Sequence, residues 1–87
     1  MHSKPLTMFE TNDLRKLIRS GQSRFLRVVS GKTQQDVADI LAVSLDSVMK
    51  WEHGVIPTHY RTSRGYYDYL CELRDRYGDV DVARRTE

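Results

Sequence analysis

The chain has little cysteine and no long apolar run, and each shortage excludes a class of protein. The single cysteine among 87 residues, Cys71, rules out an internal disulfide and a multi-cysteine zinc site, which favours a reducing compartment. The three histidines, His2, His53 and His59, lack the spacing of metal ligands, so we expect neither a metal nor a cofactor. No segment is apolar over the length that spans a bilayer, and no signal-peptide pattern is present. We therefore expect a cytoplasmic protein without a membrane partner.

The groups that enzymes need are also scarce. The sequence shows no nucleophile with a nearby base, no paired carboxylates in a credible pocket, no phosphate-binding loop and no metal cluster, so we do not expect an enzyme. No strand pattern stands out either. The expected fold class is therefore all-α, in one small domain whose size favours oligomerisation.

The most informative segment present is 34–53, which has the sequence QQDVADILAVSLDSVMKWEH. Its small and apolar residues have the spacing of two short helices that cross at a tight turn. Thr33 with Asp36 has the pattern of a capping box that opens the first helix, and Ser44 that of an N-cap for the second. Gly54 is placed as a glycine that ends the second helix. The residues expected to face inward are Val37, Ala38, Leu41, Val43, Val48 and Trp51.

From Thr33 to Gly54 the chain resembles the helix-turn-helix of the lambda-repressor-like, or Cro/XRE, family of bacterial and phage DNA-binding proteins. The resemblance extends over roughly 14–73 and includes the Trp-Glu-x-Gly ending that is typical of the family. It implies a small bundle of four or five helices. The structural alternative is an ordinary αα-hairpin in another helical bundle. One departure is Ala42, where the family usually has glycine; a left-handed backbone there would cost alanine about 1 kcal/mol relative to glycine.

The resemblance implies that the second helix of the motif approaches base edges in the major groove. Lys50 would donate to guanine, whereas Asp46 could only accept, most plausibly from cytosine. Leu45 and Met49 would meet thymine methyl groups, and Ser47 would contact a base or a phosphate. Asp46 has an alternative role, because a carboxylate in the first turn also complements the helix dipole.

Other residues of the motif and of the segment after it are expected to contact the DNA backbone. Gln34 would bind a phosphate with its side chain and its helix N-terminus, the alternative being an ordinary exposed first-turn residue. Hydroxyl, imidazole and guanidinium groups after the motif fit phosphate contacts. The residues expected to contact phosphates are Gln34, Ser44, Thr58, His59, Arg61 and Arg64.

The resemblance also implies an ion pair between Arg27 and Glu52. These residues align with a pair that, in several family members, connects the first helix to the end of the recognition helix. A partly buried pair of this kind orients the helix, and loss of one partner costs several kcal/mol. Two separately solvated charges are the alternative.

Charge is distributed unevenly along the chain despite a net charge of only +2. Residues 1–32 contain seven lysines and arginines against two carboxylates, whereas residues 33–54 contain Lys50 alone against four carboxylates. The motif itself is thus acidic. Neutralisation of DNA phosphates is therefore expected from the basic flanks.

The expected organisation is a flexible N-terminal tail (1–11), a DNA-binding domain (12–77, with the motif at 33–54) and a polar C-terminal tail (78–87). Segment 12–30 allows either one long helix or two helices broken near Gly21. A last helix is expected from about 58–61 to Tyr77, ended by Gly78. Its apolar stripe is expected either in the core or in the two-fold interface of a homodimer. The stripe consists of Tyr66, Tyr69, Leu70, Leu73 and Tyr77.

Three functions remain compatible with the sequence. The first is a sequence-specific transcriptional regulator, a small phage, plasmid or bacterial repressor that binds double-stranded DNA at an inverted-repeat operator as a homodimer. The second is the antitoxin of a toxin-antitoxin pair, which would add a toxin as a protein partner. The third is a helix-turn-helix adaptor that binds proteins and not DNA, and the acidic motif favours it.

Overall fold

The computed structural model describes the backbone over residues 4–86 and the side chains over residues 4–78. The described residues form only helices and connecting segments, which confirms the all-α class. No helix in this part of the chain is long and apolar enough to cross a membrane. The helices are α1 (Met8–Arg19), α2 (Gln22–Val29), α3 (Gln34–Leu41), α4 (Leu45–Glu52) and α5 (Tyr60–Thr86).

The first helix begins earlier than predicted. The Thr7 hydroxyl accepts a hydrogen bond from the backbone N–H of Glu10 at 3.1 Å, and the Glu10 carboxylate accepts one from the N–H of Thr7 at 3.0 Å. This capping box starts α1 at Met8, so residues 8–11, which were predicted to lie in a flexible tail, belong to a helix. The tail predicted for residues 1–3 lies outside the described residues. In the sequence, the Thr-x-x-Glu pattern of residues 7–10 is the signal for this helix start.

Glycine breaks one helix and fails to end another. Gly21 has φ 82° and ψ 1°, a left-handed conformation that glycine adopts readily, and it separates α1 from α2. Segment 12–30 thus contains two helices, as one of the two alternatives predicts. The end predicted at Gly78 is wrong, since α5 continues to Thr86. A glycine inside a helix costs about 1 kcal/mol, which neighbouring residues can offset. Glu87, the last residue of the predicted polar tail, lies outside the described residues.

The core lies between α5 and the four shorter helices. Four of the residues expected to face inward from the motif, Val37, Ala38, Val48 and Trp51, are buried, and Leu41 and Val43 are half-buried against them. The Trp51 ring lies 4.6 Å from the ring of Tyr66, centroid to centroid. This contact fixes α4 against α5.

The apolar stripe of α5 belongs mainly to this core. Tyr66, Leu70 and Leu73 are 2%, 1% and 6% exposed, so their predicted place in a dimer interface is wrong. They are buried because α2 and α3 pack directly on α5. Tyr69 and Tyr77 are half-buried and pack against the same core. Core packing, the other interpretation of the stripe, is the one observed.

The turn between α3 and α4 contains a strained alanine. Ala42 has φ 57° and ψ 45°, the left-handed conformation that disfavours a side chain. We expect Ala42→Gly to raise the free energy of unfolding by about 1 kcal/mol, measured by urea denaturation. The control is Gly21→Ala, which has free space around its added Cβ but a φ of 82°, and should lower stability by a similar amount. An unchanged or lower stability of Ala42→Gly would contradict this account.

Two ion pairs fasten α1 to α5. Asp13 accepts hydrogen bonds from the Tyr67 hydroxyl at 2.7 Å and from two nitrogens of Arg74 at 3.2 and 3.0 Å. The Glu10 carboxylate pairs with Arg64 at 2.8 Å. The hydrogen bonds from Arg74 and then Tyr67 lower the pKa of Asp13 below its ordinary value of 3.8.

This shift predicts sensitivity to acid. Because the pKa of Asp13 is lower in the folded than in the unfolded chain, the unfolded chain takes up protons first as the pH falls. The stabilisation is present above the unfolded pKa and is lost as the pH falls through the folded pKa. Between about pH 5 and pH 3, the free energy of unfolding should therefore fall less steeply in Asp13→Asn than in the parent chain. Identical slopes in urea denaturation series at these pH values would exclude a contribution from Asp13.

Candidate nucleic-acid interface

Local hydrogen bonds define the beginnings of α3 and α4. The Thr33 N–H donates to the Asp36 carboxylate at 2.9 Å, and the Asp36 N–H donates to the Thr33 hydroxyl at 3.0 Å. The hydrogen bonds from Thr33 also lower the pKa of Asp36. The Ser44 hydroxyl accepts from the N–H of Ser47 at 3.1 Å, which caps α4. Both predicted caps are confirmed, and Gly54 follows the last residues of α4 as predicted.

The predicted ion pair between Arg27 and Glu52 is confirmed. The Arg27 Nε lies 2.6 Å from Glu52 Oε2, and Nη2 lies 3.0 Å from Oε1, so the pair is bidentate. The Glu52 side chain is only 4% exposed and that of Arg27 13%. The hydrogen bonds to Glu52 raise the pKa of Arg27. The same guanidinium donates to the Lys32 carbonyl at 2.9 Å, so one side chain joins α2, the α2–α3 connection and the end of α4.

Gln34 takes part in this network, which sequence reasoning did not anticipate. Its Nε2 donates to Glu52 Oε1 at 3.0 Å, so the buried carboxylate has donors from both α2 and α3. The side chain therefore joins the beginning of α3 to the end of α4. A phosphate contact by Gln34 stays a prediction, in which its second amide hydrogen and the exposed backbone N–H groups of the first turn would be the donors.

Four of the five predicted base-reading residues, all except Ser47, are exposed on α4. Leu45 and Met49 are 38% and 40% exposed although both are apolar. The exposed Asp46 and Lys50 pair with each other at 3.1 Å. Ser47 is half-buried beside the N-cap. The structure thus brings the predicted readers together on one helix face, with Asp46 also in the first turn, where it complements the helix dipole.

A second exposed cluster lies where α5 begins. Thr58, His59, Tyr60 and Arg61 are all exposed. The rings of His59 and Tyr60 stack with centroids 5.3 Å apart, and the Nε of Arg61 donates to the Tyr60 hydroxyl at 3.1 Å. Two residues predicted to contact phosphates, His59 and Arg61, thus lie together around Tyr60, just after α4 in the chain.

Arg64 does not join this cluster, and its phosphate contact stays a prediction. Its guanidinium donates to Glu10 at 2.8 and 3.2 Å, to Asp68 at 3.1 Å, and to the carbonyls of Lys4 and Pro5 at 3.1 and 3.4 Å. All three guanidinium nitrogens of Arg64 therefore donate to groups of the same chain. Glu10 is 54 residues away in the chain, so no local pattern indicates the pairing.

Apart from Lys50 and Arg76, which are exposed and pair with carboxylates four residues away, the cations of the described residues fall into two groups. Arg27, Arg64 and Arg74 are half-buried in the ion pairs described above. The others listed here are exposed, and no described residue places a carboxylate within 4 Å of them. These exposed cations are Lys4, Arg15, Lys16, Arg19, Arg24, Lys32 and Arg61.

Comparison with known proteins finds no matching family model, no matching curated protein and no matching solved structure. The functional argument therefore depends on the geometry of this chain, above all on the two sides of α4 and on the distribution of exposed cations.

Proposed function

We propose that the protein is a sequence-specific DNA-binding regulator in which α3 and α4 form a helix-turn-helix and α4 is the recognition helix. One observation carries the proposal, namely the two-sided construction of α4. Its inner side is fixed by Val48, by Trp51 and by the hydrogen-bonded Glu52. Its outer side exposes donor, acceptor and apolar groups that suit base edges. A helix fixed in this way can enter the major groove without rearrangement.

Affinity and specificity come from different parts of this surface. The outer side of α4 carries Asp46 and Lys50, which cancel in charge, so it contributes little net attraction to DNA. Thr58, His59 and Arg61 follow α4 in the chain and supply contacts to phosphates. The bases are thus read by an almost neutral helix, while neighbouring groups hold the backbone.

The proposal extends to a small repressor of the lambda-repressor-like family that acts as a dimer in the bacterial cytoplasm. Two copies would place their recognition helices about 34 Å apart and read an inverted repeat. Tyr69 and Tyr77, which are only half-buried, are the members of the α5 stripe still available for contact between copies. Sedimentation equilibrium should show a dimer; a monomer at high concentration would argue against an inverted repeat.

Selection of bound duplexes from a random DNA pool tests the proposal directly. We expect enrichment of an inverted repeat whose half-sites lie about one helical turn apart, with an affinity that falls as salt is raised. Failure to enrich any sequence, together with no binding of random duplex at low salt, would overturn the proposal. That result would favour the adaptor function, which the acidic motif also suits.

The antitoxin function is the second candidate, and one exposed surface favours it. Met8 and Phe9 are 80% and 83% exposed at the start of α1, and Phe9 lines an open cavity of about 510 Å³ together with Asp13 and Tyr67. Exposed apolar groups beside a cavity suit a protein partner. Copurification from the native host should yield a bound small protein that Phe9→Ser releases; purification of the chain alone would count against the antitoxin function.

Asp46 provides a test of specificity within the proposed interface. We expect Asp46→Ala to relax the preference for the selected sequence while affinity for random duplex is kept or rises, because a carboxylate near DNA acts mainly by rejecting wrong sites. Binding of both duplexes is measured by fluorescence anisotropy. Asp39→Ala on α3 removes the same charge outside α4 and is the matched control. Equal losses on selected and random duplexes would refute this role.

A further inference from the structure

The N-terminal segment, defined here as residues 4–7, lies beside the loop that follows α4. Leu6, Thr11 and Arg15 line a cavity of about 330 Å³ together with Ile56, Thr58 and Tyr60. The cavity therefore places one face of α1 next to Thr58, one of the residues that we propose contact phosphates. Arg15 is exposed at this position.

Arg64 fixes the backbone of the N-terminal segment. Its Nε donates to the Lys4 carbonyl at 3.1 Å and its Nη2 to the Pro5 carbonyl at 3.4 Å, while both Nη atoms bind Glu10. Thr7 is held by its capping box with Glu10. The Lys4 side chain is thus presented from a fixed backbone, and it is exposed.

We propose that Lys4 and Arg15 form a further DNA-binding surface that contacts phosphates flanking the bases read by α4. This inference rests on the proposed function and extends it to residues outside the motif and the α4–α5 loop. Residues 33–54 contain one cation against four carboxylates, so phosphate neutralisation must come from elsewhere. Lys4 and Arg15 are exposed, lack a described carboxylate partner and belong to the elements beside that loop.

The test is the salt dependence of binding to the selected duplex and to a random duplex of equal length. We expect Lys4→Gln/Arg15→Gln to lower the slope of log affinity against log salt by about 2, since each phosphate contact contributes roughly 0.9. Affinity should fall by the same factor for both duplexes, because phosphates carry no sequence information. Lys4→Arg/Arg15→Lys keeps both positive charges and should therefore keep the slope of the parent chain. Thermal unfolding checks that the exposed substitutions leave the fold intact.

Lys16→Gln/Arg19→Gln is the matched control, because it removes the same charge from two exposed residues of α1 that, unlike Arg15, do not line the cavity beside Thr58. An equal loss of slope in both double variants would overturn the inference in favour of a diffuse positive field. An unchanged slope in Lys4→Gln/Arg15→Gln, with salt-dependent binding by the parent chain, would overturn the inference alone. Absence of DNA binding by the parent chain would overturn the proposed function and the inference with it.

Discussion

Replacement of Arg27 by methionine is expected to lower the free energy of unfolding by about 3 to 5 kcal/mol. The variant leaves the Glu52 carboxylate, which is 4% exposed, without its bidentate partner in the interior. Gln34 alone cannot replace the lost charge and hydrogen bonds. Urea unfolding followed by the fluorescence of Trp51, the only tryptophan, measures the change.

A double-mutant cycle separates the pair from other effects of the substitution. Glu52→Gln should cost less than Arg27→Met, because Arg27 is more exposed than Glu52 and keeps the Lys32 carbonyl as an acceptor. The double variant should be less destabilised than the sum of the two single variants. A loss below about 1 kcal/mol in Arg27→Met would mean that the pair has the small stabilising effect of surface salt bridges.

Replacement of Trp51 by alanine is expected to cost about 3 to 5 kcal/mol as well. The side chain is 5% exposed and its ring packs 4.6 Å from that of Tyr66. Its removal opens a cavity between α4 and α5 and abolishes the contact that fixes α4 on the core. Thermal and urea unfolding followed by circular dichroism measure the loss of stability, since the variant lacks the tryptophan whose fluorescence reports on unfolding.

Met49→Ala is the control on the opposite side of α4. Met49 is 40% exposed, so its truncation should change the free energy of unfolding by no more than about 0.5 kcal/mol. It should nevertheless weaken binding to the selected duplex more than to random duplex, because it removes the apolar contact to a base that we propose for Met49. Similar stability losses in Trp51→Ala and Met49→Ala would contradict the two-sided description of α4.

Sequence patterns predicted the features that depend on neighbouring residues. The caps at Thr33 and Ser44 involve residues within a few positions of one another, so their spacing is sufficient evidence. The buried positions of α3 and α4 follow from helical periodicity for the same reason. The pair of Arg27 and Glu52 was predicted across 25 residues only because the segment resembles a family that has such a pair.

The sequence left the partner undetermined where a residue has several partners open to it. Arg64 follows a cluster of polar groups, and its chemistry suits a phosphate as well as it suits Glu10; proximity to α1 selects Glu10. The stripe of α5 has the periodicity of either a core or an interface, and the packing of α2 against it selects the core for Tyr66, Leu70 and Leu73. Gly78 weakens a helix without ending it.

The sequence by itself determined the all-α class, the limits of α3 and α4, and the residues on the outer side of α4. The tertiary structure alone decided that Gln34 supports Glu52, that Arg64 fastens the N-terminal segment, and that Lys4 and Arg15 are exposed on elements beside the α4–α5 loop. The physical reason is the distance along the chain between the interacting residues. Caps and periodicity depend on neighbouring backbone groups, whereas the partner of a charged side chain depends on which distant element packs next to it.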